Sequence, residues 1–335
     1  MFGKKNSDKK ISEEKVKEYQ KDISNIRKEI SRIIVGQERI INRLILGLIS
    51  NGHILIEGVP GVAKTLVIRA LAKITGCKFK RIQFTVDLLP TDIIGITAYS
   101  KEKDSFYIIK GPIFANFILA DEINRAPPKV QSALLEAMGE RQSTIGKKSF
   151  PMLNPFFVLA TQNPIEVSGT YPLPEAQIDR FLFKLYMHYP NMDEEQKILR
   201  KNIEIKKFDD FKLRAVISPE KIIEMQNAAK KIYLSEKIEK YIVNLTNATR
   251  NPEKYGIKSG KYIQWGGSPR TSIAMYIASK ANALLNGKNF VTPRHVKDIA
   301  HDVMKHRIIL NYEGMAEGVN TDDIISEILS KVAVS

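Results

Sequence analysis

The stretch Ile54-Leu55-Ile56-Glu57-Gly58-Val59-Pro60-Gly61-Val62-Ala63-Lys64-Thr65 decides the fold. Three consecutive apolar residues enter a glycine-rich turn, and a helical segment, Thr65–Thr75, leaves it. A short unbroken apolar run suits a strand covered on both faces. Strand, loop ending in Lys-Thr and helix, in that order, make the setting of a phosphate-binding loop. Successive backbone N–H groups form a nest for an anion, and the helix N-terminus adds positive potential. Lys64 is placed to hold the β- and γ-phosphates of a nucleotide, and Thr65 to put its hydroxyl on Mg²⁺. The usual pattern has glycine where Ala63 stands. Alanine permits the same close approach with fewer conformations, and Gly61 is near enough to supply the missing freedom.

Outward from this loop the same grammar repeats. Phe117-Ile118-Leu119-Ala120 is a second apolar run and ends in Asp121-Glu122. Asp121 is positioned to reach Mg²⁺, and Glu122 to polarise an attacking water. Phe156–Ala160 is a third run, followed by Thr161-Gln162-Asn163-Pro164. Asn163 is suited to orienting that water, to touching the γ-phosphate or to capping the turn before Pro164. Lys78–Phe84 and Leu182–His188 supply two further strands, and Pro127–Gly139 another helix. Strands alternating with helices predict an α/β domain with a five-stranded parallel sheet, whose ligands bind at the carboxyl ends of the strands. Residues 96–109 and 142–150 break the rhythm and read as hairpins. Their extra length points to protruding parts with a task.

The flanks read differently. Met1–Lys10 is a lysine-rich tail, and apolar residues then recur at helical spacing (Val16, Tyr19, Ile23, Ile26, Ile30, Ile33). A second helix is expected over 36–50. After Tyr189-Pro190-Asn191 the strand pattern stops, and 193–207, 218–232, 235–249, 269–286 and 292–306 all have helical period. Ser218-Pro219 and Thr292-Pro293 are helix starts. The expected organisation is a tail and helix over 1–30, a nucleotide-binding α/β domain over 31–190, and a helical linker with a smaller all-helical domain over 191–335.

Composition narrows the classes. The chain has 335 residues, 43% hydrophobic and 27% charged, which is ordinary for a globular protein. No apolar run approaches the ~20 residues that cross a bilayer, and no apolar segment of secretory type follows the basic start. The one cysteine, Cys77, admits no intrachain disulfide and fits a reducing cytoplasm as a small, partly buried residue. The net charge of +15 permits nucleic-acid or acidic-membrane binding, but the lysines are spread among Glu and Asp as on solvated helix faces. The five histidines show no metal-ligand spacing; His295, His301 and His306 lie on late helices without an accompanying Cys or acid.

Taken together these segments resemble the AAA+ ATPases, and within them the MoxR family. The residues that carry the resemblance are Ile34-Val35-Gly36-Gln37-Glu38, the loop Gly58–Thr65, Leu88-Leu89-Pro90-Thr91-Asp92-Ile93-Ile94-Gly95 and Ala120-Asp121-Glu122-Ile123-Asn124-Arg125-Ala126. They continue with Ala160-Thr161-Gln162-Asn163-Pro164, Leu173-Pro174-Glu175-Ala176-Gln177-Ile178-Asp179-Arg180-Phe181 and Gly266-Gly267-Ser268-Pro269-Arg270. The match covers about 34–310, in the family's order, and Ala63 resembles the family's own version of the loop.

The resemblance implies a P-loop AAA+ domain followed by a helical lid, binding ATP with Mg²⁺ and hydrolysing it. By similarity the nucleotide contacts are Ile34 and Val35, lining the adenine pocket, the loop residues Gly58, Val59, Pro60, Gly61, Val62, Ala63, Lys64 and Thr65, and Leu66. Arg180 resembles an arginine finger that completes a neighbouring subunit's site, with Arg125 as a rival, and Arg270 resembles the lid's sensor arginine. A residue acting in trans implies a ring, six subunits by family practice. The two hairpins resemble the helix-2 and pre-sensor-1 insertions. The implied role is chaperone-like remodelling of a partner, a separate von Willebrand factor A domain protein or another client. A nucleic-acid-dependent motor and a chelatase-type subunit assisting metal insertion are the alternative classes.

Overall fold

The computed structural model describes residues 11–59, 61–163, 169–201 and 208–334. Pro60 and Pro164 lie outside the described residues, as do the whole basic tail Met1–Lys10 and the end of the helix expected over 193–207. The chain divides into one compact unit, Ser24–Ile223, and a second made of the residues before and after it. The division falls within the first helix and again at residue 223, so the segment between 190 and 223 groups with the sheet.

Helix α1 (Glu13–Ile30) and α2 (Glu38–Ile49) come first. The buried residues of α1, Val16, Tyr19, Ile23, Ile26 and Ile30, recur every three or four positions, which turns one stripe inward. Next come β1 (Ile54–Gly58), α3 (Lys64–Ile74), β2 (Phe79–Gln83) and α4 (Pro90–Ile94). A hairpin of β3 (Gly95–Ser100) and β4 (Ser105–Lys110) precedes β5 (Phe117–Asp121) and α5 (Pro128–Glu140). A second hairpin, β6 (Gln142–Ile145) and β7 (Lys148–Pro151), is followed by β8 (Phe157–Gln162), α6 (Glu175–Ile178), β9 (Phe183–Met187) and α7 (Met192–Lys201).

Five strands form one parallel sheet in the order β2-β5-β8-β1-β9. The three central strands are apolar at successive positions because both faces are covered; Leu55, Ile118, Leu119 and Leu159 are fully buried. Phe117 and Phe157 stack edge-on across β5 and β8, with ring centroids 5.4 Å apart. Edge strand β2 instead exposes Lys80 and Arg81, which discourages pairing with another chain. The parallel register brings Gln83 opposite Asp121, Gln162 opposite Glu57 and Met187 opposite Gly58. The carboxyl ends therefore finish level, and β8 stands between the loop-bearing β1 and the acid-bearing β5.

The two hairpins form as expected, antiparallel and outside the main sheet. The β6–β7 turn lies against the β3–β4 hairpin: a Cβ on Gly146 would sit 2.8 Å from the Thr97 hydroxyl. Ile108 and Phe150 tuck against the core, whereas Phe106 is 75% exposed, with Ile96, Tyr99, Tyr107 and Ile109 also open. Helix α7 starts on a reciprocal cap: Glu194 N–H donates to Asn191 Oδ1 at 2.9 Å, and Asn191 N–H to Glu194 Oε2 at 3.0 Å. Cys77, between α3 and β2, is partly buried and free. Burial pushes its thiol up to about 11, so it carries no thiolate chemistry near neutral pH.

The second unit contains most of α8 (Pro219–Lys230), then α9 (Glu236–Arg250), β10 (Ile263–Trp265), α10 (Pro269–Leu285) and α11 (Pro293–Met304). It closes with β11 (Ile309–Leu310), α12 (Tyr312–Ala316) and α13 (Thr321–Lys331). It is helical except for the short antiparallel ribbon of β10 and β11, too brief to show a period in sequence. Thr292 starts α11 as expected, its N–H donating to His295 Nδ1 at 3.0 Å. His301 lies on the same helix, 2.9 Å from Asp322. Among the described residues no helix is long and apolar enough to cross a membrane.

Candidate functional site

The candidate phosphate loop begins where β1 ends. Gly58 pairs with Met187 on β9, and a Cβ there would lie 2.6 Å from the Met187 carbonyl oxygen. That position needs glycine for space. Gly61 needs it for conformation: its φ is +82°, and nothing stands within 4 Å of a built Cβ. Ala63 is also left-handed, φ 64° and ψ 26°, as the N-cap of α3. Gly61 therefore does not relieve Ala63; the alanine carries its own strain, on the order of 1–2 kcal/mol. Ala63→Gly should raise stability by about 1 kcal/mol in urea unfolding. Loss of stability would remove the strain from this position.

Lys64 opens α3, and its Nζ donates to the Gly58 carbonyl, folding back over the loop. Burial lowers its pKa, opposed by the charges of Asp121 and Glu122. The lysine and the two carboxylates thus share one electrostatic environment, although 57 residues separate Lys64 from Asp121. Thr65 follows in the first turn, half-buried, with Leu66 beside it and Val62 buried under the loop.

At the end of β5 the acidic pair is held by neighbours. Asp121 Oδ1 accepts from the Thr161 hydroxyl at 2.6 Å. Asp121 Oδ2 accepts from Arg81 Nε at 3.0 Å and Nη2 at 2.6 Å. Glu122 is left-handed at φ 56°, which turns the chain out of the strand. Its N–H donates to Thr161 Oγ1 at 2.9 Å. Its Oε2 accepts from Gln83 Nε2 at 2.8 Å and Arg125 Nη1 at 3.1 Å. Arg125, the rival for a role in trans, is here a partner of its own chain's Glu122.

Asn163 is the first residue past β8, between the loop and the acidic pair. Ile34 and Val35 lie just before α2. Both line a cleft of about 500 Å³ with Ile30 and Ile41. A neighbouring cleft of about 440 Å³ is shared by Val35, His188 and Tyr189. Gln37 Nε2 donates to the His188 carbonyl at 2.9 Å, and Met187, one residue earlier, pairs with Gly58. Ile34 itself is buried.

Arg180 is exposed just after α6 and lies across α5, its Nη1 donating to the Leu135 carbonyl at 2.7 Å. Arg270 belongs to the second unit, in the first turn of α10. Ser268 caps that helix, accepting from Arg270 N–H at 3.1 Å. Gly266 and Gly267 deliver the cap. A Cβ on Gly266 would lie 2.4 Å from the Thr249 carbonyl oxygen, and Gly267 N–H donates to Thr249 Oγ1 at 2.8 Å. The glycine pair exists because the chain passes directly against the end of α9.

Arg81, Gln83 and Thr161 were absent from the sequence-level candidates. Two-residue alternation puts Arg81 and Gln83 on one face of β2, which is a visible signal. That β2 pairs with β5, and in what register, is not.

The profile of the ATPase family associated with various cellular activities (AAA) matches residues 53–183, and that of the AAA lid domain matches 258–328. Chaperone MoxR1 of Mycobacterium tuberculosis is 44% identical over 308 residues, spanning 91% of this chain and 80% of the relative. Protein MoxR of Methylorubrum extorquens is 31% identical over 300 residues, 84% of this chain and 86% of its own. The crystal structure of a Cytophaga hutchinsonii protein, 47% identical, superposes with a TM-score of 0.90 over 96% of this chain and 98% of that one.

Proposed function

The chain belongs to the MoxR family of AAA+ ATPases, and from that premise we propose that it is one subunit of a ring, six by family practice, that hydrolyses ATP to remodel a protein partner. The observation that carries this reading is that Lys64, past the end of β1, feels the charges of Asp121 and Glu122 at the end of β5, with the level end of β8 between them. Lys64 and the loop N–H groups bind the β- and γ-phosphates, and the cleft at Val35 receives the base. Thr65 and Asp121 would hold Mg²⁺, since a hydroxyl and a carboxylate are the hard oxygen donors that ion takes. Bound there, the ion neutralises phosphate charge.

Glu122 takes the proton of the attacking water, Asn163 orients that water, and Gln83 with Arg125 fixes the carboxylate. Arg180 reaches a neighbouring subunit's nucleotide: a guanidinium stays charged and suits a developing phosphoryl charge. Arg270 reads the γ-phosphate from the lid. The partner is a separate protein in the cytoplasm, of von Willebrand factor A type or another client. The exposed aromatics of the β3–β4 hairpin are the surface that meets it. In support, a relative 44% identical is a chaperone by name.

Mixing subunits tests the ring. Arg180→Ala alone should be inactive, because no site has its finger. Mixed with Glu122→Gln subunits, some sites regain an intact Glu122 and a neighbour's Arg180, and ATPase activity should reappear. Intact rings without that recovery would sink the role in trans.

A further inference from the structure

The guanidinium of Arg81 does not grip Asp121 as a fork. An arginine that maximises an ion pair puts one N–H on each carboxylate oxygen. Here Nε and Nη2 both converge on Oδ2, at 3.0 and 2.6 Å, while Thr161 donates to Oδ1 at 2.6 Å. A carboxylate offers about four acceptor positions, and three are taken. Among the described residues Oδ2 takes two donors and Oδ1 one. The same Nη2 lies 2.6 Å from Gln83 Oε1, which anchors the guanidinium from its own strand. Asp121 is 14% exposed and Arg81 50% exposed, so the carboxylate is enclosed and its guard faces solvent.

The charges nearby have the same sense. Lys64 feels both Asp121 and Glu122, and Arg125 sits on Glu122 at 3.1 Å. Three cations face two carboxylates. That surround attracts a polyphosphate and repels a lone divalent cation.

We propose that Arg81 is the resident counter-cation of Asp121, a positioning residue that keeps the carboxylate from capturing a free divalent cation, so that the metal enters with the nucleotide. This rests on Asp121 being the metal carboxylate. The consequence is an order of events. The loop and Lys64 take the phosphates first, their negative charge offsets the local cations, and Asp121 would then hold the divalent cation that accompanies them. A ring subunit built this way does not fill its metal site without nucleotide.

The test is direct binding of Mn²⁺ to the full chain without nucleotide, read by the electron paramagnetic resonance signal of the free ion. The wild type should bind weakly. Arg81→Gln and Arg81→Ala should bind at least about tenfold more tightly, as expected for removing a charge in contact with a carboxylate. Arg81→Lys, which keeps the charge, should stay near the wild type. Asp121→Asn added to Arg81→Gln should erase the gain. Melting temperatures within a few degrees of wild type identify folded variants, and the exposed edge-strand position makes Arg81→Ala the second chance if Arg81→Gln is unstable. Unchanged Mn²⁺ affinity in a folded Arg81 variant, or a gain that survives Asp121→Asn, overturns the proposal. The underlying reading fails separately: Asp121→Asn alone would leave the Mg²⁺ dependence of ATP-analogue binding intact.

Discussion

Lys64→Ala should lose ATP affinity by about 3–5 kcal/mol, which is about a hundred- to several-thousandfold, in titration with a fluorescent ATP analogue. The size follows from where the ammonium sits. It is partly buried, lies over the loop against the Gly58 carbonyl and faces Asp121 and Glu122. Removing it takes away the charge that meets the phosphates and also leaves two carboxylates without their central cation. Asp121 and Glu122 keep Arg81 and Arg125 as direct partners, so the effect is chiefly the lost contact to the phosphates. Retained tight binding would remove Gly58–Thr65 as the phosphate loop. Lys64→Arg keeps the charge on a broader, planar head that does not fit the fold-back onto Gly58, and should recover only part of the affinity.

Glu122→Gln should bind ATP about as well as the wild type and turn it over at least about a hundredfold more slowly, the usual contribution of a positioned general base. The amide keeps the shape of the side chain and an oxygen for the Gln83 N–H that lies 2.8 Å from Oε2. It loses the base and the ion pair with Arg125, which at 46% exposure of the arginine stabilises little. Binding and hydrolysis therefore separate in this variant. Wild-type turnover would exclude Glu122 as the water activator. Held with ATP, the same variant should retain a client in affinity capture that the wild type releases, and mass spectrometry of the captured chain would name it.

The main elements were legible because their signals are local. Ile54–Ile56, Phe117–Ala120 and Phe156–Ala160 are unbroken apolar runs since each strand is covered on both faces, and that condition writes itself into consecutive residues. Pro219 and Pro293 marked helix starts because proline is tolerated where an N–H has no partner in any case. Helix α13 has a buried stripe of Ile324, Ile325 and Ile328 but, unlike α8 and α11, no proline at its start to mark it in the sequence. The β10–β11 ribbon is illegible because strands of three and two residues show no alternation.

The site divides along the same line. Sequence alone settled which residue types stand at the strand ends: a Lys-Thr after β1, an Asp-Glu after β5 and an Asn after β8. It did so because strand, turn and helix are made by residues adjacent in the chain. Tertiary structure alone decided that β8 lies between β1 and β5, that β2 covers the outer side of β5, and that Arg81, Gln83 and Thr161 consequently hold Asp121 and Glu122. It also put Ala63, and not Gly61 alone, in the left-handed region. Parallel strands are joined by crossovers that erase any local trace of which neighbour a strand takes. Order and register are set by how whole faces pack, and the partners of Asp121 and Glu122 follow from that packing.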